Sequence, residues 1–153
     1  MPHLLIAGKL HPSGLDLLRA APVTFDYVEE ISEPSYQAYL PQADALVIRT
    51  QPLSSASIAR APGLKIVSRH GVGYDAVDLA ALNARRVPLC IVGDVNSSGV
   101  AEHAMMLILA ASHRLIAADR ATRGGDWGWR NGLQTHEVAG KRLLVVGFGR
   151  IGQ

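Results

Sequence analysis

Short aliphatic runs alternate with longer segments of helical periodicity along the first 92 residues, and Gly, Pro or Ser marks most switches between them. This alternation is typical of βαβ units, in which helices connect consecutive parallel strands. The sequence therefore predicts an α/β fold with a parallel sheet. The predicted strands are residues 4–7, 23–28, 45–48, 64–68 and 88–92, and the predicted helices are residues 15–20, 33–40, 54–61 and 77–84.

A different pattern begins near Gly99. Residues 100–118 have helical propensity, but Ala, Met, Leu and Ile lie on every face of the middle of this segment. A helix that is apolar around its circumference must be buried on all sides. In a domain this small we expect a second copy of the chain to cover it, as the core of a symmetric dimer interface. Burial within one larger chain is the alternative.

The last 31 residues combine a predicted loop, a predicted strand and a glycine motif. Residues 123–129 are glycine-rich and predict a loop, and the aliphatic residues 141–146 predict a strand. The glycines of the sequence Gly147–Phe148–Gly149–Arg150–Ile151–Gly152 follow directly. In this spacing the first glycine permits a tight strand-to-helix turn, the second lets backbone approach a pyrophosphate, and the third packs helix on strand. The motif predicts a dinucleotide site whose ribose-binding acid would lie beyond Gln153.

Two further segments are candidates for binding. Residues 69–75 contain Gly71 and Gly73 after the fourth predicted strand, where a parallel sheet binds ligands and where free amides suit a small carboxylate. An ordinary turn is the alternative. Residues 94–103 lead into the apolar helix, with Ser97 or Ser98 as the predicted N-cap.

Composition excludes several partners. The net charge is +2, without a basic run longer than two residues, so we expect no nucleic acid. Cys90 is the only cysteine, which excludes an internal disulfide and favours a reducing compartment, the cytoplasm. The histidines have no metal-ligand spacing, and we expect no metal. The N-terminus does not have the pattern of a secretory signal, and the most apolar stretch, residues 104–111, is too short to span a membrane.

From about Leu46 onward, the ordered motifs resemble those of the D-isomer-specific 2-hydroxyacid dehydrogenase family. This family includes phosphoglycerate, glyoxylate/hydroxypyruvate, D-lactate and formate dehydrogenases. The motifs are residues 64–67 with the loop at 71–73 and residues 75–78, residues 96–97 with 100–103, residues 125–127, and residues 138–141 leading to 147–152. Residues 1–45 match only in general pattern.

The resemblance implies an oxidoreductase that passes a hydride between NAD or NADP and a small 2-hydroxy or 2-oxo acid. It implies a flavodoxin-like substrate domain at residues 1–98, then the start of a Rossmann domain at residues 99–153, interrupted in its glycine loop. It also makes the apolar helix a dimer element. We expect the coding sequence to continue for about another 150 to 200 residues. A non-catalytic remnant that dimerises or senses a nucleotide is the alternative.

The resemblance also assigns residues. Substrate-binding positions are Arg49, Gly71, Val72, Gly73 and Asn96, and cofactor-binding positions are Ser97, Val100, Gly147, Gly149, Arg150, Ile151 and Gly152. The family's catalytic arginine, glutamate and histidine follow the glycine loop, so we expect no catalytic residue in this chain and no activity from it alone. Adjacent Glu102 and His103 point to different helix faces and do not replace them. His70 and residues 90–94 depart from the family pattern, which leaves a phosphoglycerate-like or a glyoxylate/hydroxypyruvate-like substrate open.

Overall fold

The structure, a computed structural model, describes residues 1–153. The chain divides into two compact units, Met1–Gly93 and Asp94–Gln153. The first is an α/β unit, and the second contains only helices and loops.

The first unit is built on a five-stranded sheet in the order β2-β1-β3-β4-β5, and all its strand pairs are parallel. This is the flavodoxin-type order, so the predicted fold class is confirmed. The strands are β1 His3–Ala7, β2 Thr24–Val28, β3 Ala45–Ile48, β4 Ile66–Arg69 and β5 Leu89–Ile91.

Short helices connect these strands, and local capping explains where they begin. They are α1 Pro12–Ala20, α2 Pro34–Gln37, α3 Ser55–Ala59 and α4 Leu79–Ala84. Asp78 caps α4, because its side chain accepts a hydrogen bond from the amide of Ala81 at 2.9 Å. The predicted helix 33–40 is shorter than expected: α2 is followed by a 3₁₀ helix at Leu40–Gln42, around a proline that has no amide to continue an α-helix.

The core of this unit lies between the sheet and its helices. Leu46, Ile48 and Val67 of the central strands are fully buried, as is Leu53 after β3. This continuous aliphatic character is what a parallel sheet covered by helices requires.

In the second unit, the predicted single helix 100–118 is wrong. Two helices, α5 Ser97–Ser112 and α6 Leu115–Arg123, are bent by 59° relative to each other. Arg114 between them has a left-handed backbone with φ 49°, which interrupts the α-helical hydrogen-bond ladder. No single helix of the chain is long and apolar enough to cross a membrane, and only the bent pair together has that length and composition.

The predictions for residues 123–129 and 141–146 are also corrected. A 3₁₀ helix forms at Trp127–Gly132, because Asp126 caps it by accepting the amide of Trp129 at 3.1 Å. Residues 141–146 form no strand. A strand needs a neighbour to satisfy its backbone groups, and the second unit contains no other strand. Leu144 and Val146 are therefore 85% and 90% exposed.

Candidate functional site

Two predicted substrate-binding segments meet at the carboxyl edge of the sheet in the first unit. Arg49 directly follows β3, and its amide donates to the carbonyl of Ala7 at 2.9 Å. His70 directly follows β4, and its amide donates to the carbonyl of Ile48 at 2.7 Å. Arg49 and the loop that continues to Gly71 and Gly73 therefore follow adjacent strands at the edge where parallel sheets bind ligands.

The loop after β4 is tightly turned around Gly71. The amide of Gly71 donates to the carbonyl of Arg69 at 2.8 Å, and its own carbonyl accepts from Val92 at 3.3 Å. A Cβ on Gly71 would lie 2.8 Å from Nη1 of Arg69, so any other residue here would require this guanidinium to move. Val72, which follows, is 40% exposed.

Arg69 is a feature that the sequence analysis missed. Its guanidinium donates to the carbonyl of His70 at 3.0 Å. Neither Arg49 nor Arg69 takes part in an ion pair, so both positive charges at this edge are left without a carboxylate partner. The sequence could have indicated Arg69, because it directly follows a predicted strand, the next one along the chain after the strand that Arg49 follows. An edge of this kind is suited to a small anion.

The start of α3 is fixed by Glu33. The carboxylate of Glu33 accepts from the amide of Ser54 at 2.9 Å and from its hydroxyl at 2.6 Å. Burial acts to raise the pKa of Glu33, but the hydrogen bonds from Ser54 and Ser57 outweigh it and hold the pKa below its usual value. Burial, together with the nearby Glu33 charge, raises the pKa of Tyr36, whose hydroxyl donates to the carbonyl of Pro52.

Replacing Ser54 tests this connection. Ser54→Ala removes the N-cap of α3 and a donor to Glu33, and we expect the free energy of unfolding at pH 7 to fall by about 1–2 kcal/mol. Because the folded-state pKa of Glu33 is lowered, its contribution is present above about pH 4.5 and is lost as pH falls through the folded-state value. Urea titrations from pH 7 to pH 3 should show the difference from wild type shrinking.

The control for that series is Ser98→Ala, since Ser98 is exposed and makes no side-chain hydrogen bond. We expect it to change stability little at any pH. A Ser54→Ala effect that stays constant down to pH 3 would show that the cap alone, without Glu33, stabilises α3.

In the second unit, Asp94 connects the start of α5 with the glycine loop. The hydroxyl of Ser97 donates to Asp94, and Nε of Arg150 lies 3.7 Å from its other carboxylate oxygen. The predicted N-cap at Ser97 or Ser98 is wrong: both serines lie inside α5, which begins at Ser97, so Asn96 occupies the N-cap position, without a side-chain capping bond. The structure thus brings together two predicted cofactor-binding residues, Ser97 and Arg150.

The glycine motif itself forms a compact turn. Gly147 has φ 95°, and the amides of Gly152 and Gln153 both donate to the carbonyl of Gly149, at 3.1 and 3.2 Å. A Cβ on Gly152 would collide with the carbonyl of Gly147. Ile151 is 47% exposed. Close backbone approach without side chains fits a pyrophosphate, the role predicted for this turn.

The remaining predicted residues lie near the start of α5. Val100 is the fourth residue of that helix, 40% exposed, and its amide donates to the carbonyl of Asn96 at 2.9 Å. The binding roles of these residues stay predictions.

The flavodoxin-type sheet and the two glycine loops define the class of α/β proteins that bind ligands at the carboxyl edge of a parallel sheet. The family model of the D-isomer specific 2-hydroxyacid dehydrogenase, catalytic domain, matches residues 4–143. The chain belongs to this family, as its motifs predicted. Members of the family are nicotinamide-dependent oxidoreductases that act on CH–OH donors.

Curated relatives with similar sequences support the same family. The chain is 42% identical to D-3-phosphoglycerate dehydrogenase from Mycobacterium tuberculosis over 154 residues, which is 100% of this chain and 29% of the relative. It is 33% identical to glyoxylate reductase from Thermococcus onnurineus, covering 99% of this chain and 48% of the relative. The chain therefore spans less than half the length of these curated relatives.

Solved structures show the same fold. A protein from Polaromonas, assigned as a D-isomer specific 2-hydroxyacid dehydrogenase, NAD-binding, superposes with a TM-score of 0.87 at 31% identity, covering 99% of this chain and 50% of that one. NAD-dependent formate dehydrogenase from Staphylococcus aureus, in complex with NAD, gives 0.84 at 27% identity, covering 99% and 51%.

Proposed function

We propose that this chain provides the substrate-carboxylate site and the entrance to the cofactor site of a D-2-hydroxyacid dehydrogenase. The observation that carries the proposal is the arrangement of Arg49 beside the Gly71–Gly73 loop at the carboxyl edge, with no carboxylate pairing the arginine. The guanidinium and the loop amides hold the substrate's carboxylate, and so orient its C2 atom. A nicotinamide dinucleotide, which the turn at residues 147–152 would hold, would supply the hydride chemistry at that carbon.

The substrate we propose is a small 2-hydroxy or 2-oxo acid of the phosphoglycerate or glyoxylate/hydroxypyruvate kind. The names of the relatives support both choices. The second unpaired guanidinium, that of Arg69, favours a substrate with a second anionic group, such as phosphoglycerate.

For the cofactor side we propose residues 147–152 as the pyrophosphate turn, with Ser97 and Val100 near the nicotinamide end. NAD is our first choice, since a solved neighbour contains it, and NADP is the alternative. In this assignment Asn96 contacts the substrate.

We retain a substrate domain at residues 1–98 and a cofactor domain starting at 99, although the compact units divide after Gly93. The single free thiol, Cys90, agrees with a location in the cytoplasm.

A chimera tests the function. The matching 154 residues of the Mycobacterium tuberculosis enzyme are replaced by this chain, so that the relative supplies the remaining residues. We expect the chimera to oxidise NADH with hydroxypyruvate or phosphohydroxypyruvate, and the 153-residue chain alone to be inactive. A folded chimera without activity towards any 2-oxo acid would contradict the proposal. Turnover by the chain alone would contradict our assignment of all catalytic residues to the remainder.

We further propose that a second copy of the chain covers α5. Its side chains Met105, Met106, Leu107 and Leu109 are 47–52% exposed. Contiguous exposed apolar side chains of this kind mark interaction surfaces. Self-association through α5 is also what the non-catalytic alternative requires, so dimerisation alone does not favour the enzyme.

Sedimentation velocity tests the dimer. We expect wild type to sediment as a dimer at micromolar concentration, and Leu107→Glu to raise the dissociation constant at least about 100-fold by placing a charge in the interface. Leu17→Glu is the matched control, because Leu17 is 75% exposed on α1 of the first unit. A monomeric wild type, or equal effects of both variants, would argue against α5 as the interface.

A further inference from the structure

Gln51 is an unusual residue for the loop in which it lies. It follows Arg49 by two positions and yet is only 1% exposed, and it is one of two buried polar residues of the chain. Burying an amide side chain costs free energy unless both its ends are hydrogen-bonded. Both ends are satisfied, because Nε2 donates to the carbonyl of Glu30 at 2.8 Å and Oε1 accepts from the amide of Thr50 at 3.0 Å.

The surroundings of Gln51 come from three adjacent strands. Glu30 lies after β2, Gly8 directly follows β1, and Thr50 and Gln51 follow β3, and these strands are neighbours in the sheet. A Cβ on Gly8 would lie 2.9 Å from Oε1 of Gln51 and 2.5 Å from Cβ of Arg49. The turn after β1 therefore packs against both side chains at once.

These contacts fix the segment that presents Arg49. The Arg49 amide is held by the sheet, through Ala7, whereas the next amide, that of Thr50, is held by the Gln51 side chain alone. The Cβ of Arg49 packs against Gly8, but Arg49 and Thr50 are both exposed, so the hydrogen bond to Gln51 is the polar contact that holds this segment beyond the sheet. Without Gln51, the Thr50 amide would turn to water and the backbone beside Arg49 would lose its second attachment.

We propose that Gln51 is a positioning residue that orients Arg49 for carboxylate binding by joining the loops after β1, β2 and β3. The proposal rests on the function proposed for Arg49. Small displacements matter at such a site, since misplacing a binding group by about 1 Å costs up to about 100-fold in affinity or rate. A residue that served only to fill the core would act on the stability of the whole unit and not on Thr50 and Arg49 in particular.

The test uses the 153-residue chain and the variant Gln51→Met, which keeps the side-chain length and removes both hydrogen bonds. Gln37→Met is the matched control, because Gln37 is half-buried and its Nε2 donates to Ser57 at 3.1 Å, away from Arg49. Amide exchange is followed by NMR at Thr50, with Leu46 in β3 as the reference for opening of the whole unit. Titration with hydroxypyruvate is followed on the Nε–H signal of Arg49.

In Gln51→Met we expect exchange at Thr50 to accelerate at least about tenfold more than at Leu46, and the dissociation constant for hydroxypyruvate to rise about tenfold. We expect neither change in Gln37→Met. Equal acceleration at Thr50 and Leu46, or an equal effect of Gln37→Met, would overturn the proposal. If wild-type Arg49 does not respond to hydroxypyruvate, the proposed carboxylate site is wrong, and the exchange at Thr50 still decides whether Gln51 fixes the loop.

Discussion

In the active chimera, Arg49→Met is expected to raise KM for the 2-oxo acid about 100-fold while changing kcat much less. Arg49 projects from the carboxyl edge without an ion-pair partner, so its charge is available to the substrate. A charge-assisted hydrogen bond to a carboxylate contributes roughly 1.5–3 kcal/mol, which corresponds to about a 10- to 150-fold change in binding. Because the carboxylate keeps its charge throughout hydride transfer, losing this contact weakens ground-state and transition-state binding alike. Steady-state kinetics with varied 2-oxo acid measure the effect.

Arg60→Met is the control for Arg49→Met. Arg60 is an exposed arginine at the C-terminal end of α3, which runs away from the carboxyl edge, and its loss should leave KM unchanged. A fall in kcat with constant KM in Arg49→Met would show that Arg49 acts on the reacting carbonyl and not on the carboxylate. If neither KM nor kcat changes in Arg49→Met, the substrate's carboxylate binds elsewhere.

The sheet was predictable from sequence because each strand is a short aliphatic run with its own boundary residues. Leu46 and Ile48 are both aliphatic and buried, and the turn residues on either side limit the strand. The aliphatic run at 141–146 has the same local character, but its pairing depends on residues that the second unit does not contain. A strand is predicted from its composition, yet it forms only with a partner.

The prediction of one continuous helix through Arg114 failed for a different reason. No Gly or Pro marks it, and Arg has no preference for a left-handed backbone, so periodicity runs through this position unchanged.

The candidate site also contains residues that the sequence predicts and residues that it does not. Arg49 and the loop at Gly71 could be predicted, since each directly follows a strand of the pattern and each matches a family motif. Gln51 could not, because its burial depends on the carbonyl of Glu30, 21 positions away, and a glutamine in a loop is ordinarily exposed. Residues that bind are marked by type and position, whereas residues that orient them are defined by tertiary contacts.

Gly8→Ala is expected to destabilise the first unit by about 3 kcal/mol and to displace Arg49. Gly8 has φ 113°, a conformation that costs an L-residue roughly 1–2 kcal/mol, and the added methyl would lie 2.5 Å from Cβ of Arg49. A Cβ lies close to the backbone and cannot rotate away, so overpacking adds roughly 1–3 kcal/mol unless the loop moves. Movement of the loop would separate the Arg49 amide from the carbonyl of Ala7, and we expect this to weaken the proposed carboxylate site as well.

Urea unfolding of the chain measures the stability change, and the Arg49 signal in a hydroxypyruvate titration measures the displacement. Gly14→Ala is the matched control, because Gly14 lies within α1 and a Cβ there would meet no atom within 4 Å. Replacing a helical glycine with alanine should stabilise the unit by roughly 0.5–1 kcal/mol. Gly8→Ala and Gly14→Ala are therefore expected to change the free energy of unfolding in opposite directions. A Gly8→Ala chain as stable as wild type would mean that the turn after β1 rearranges freely, and that neither Arg49 nor Gln51 is held by it.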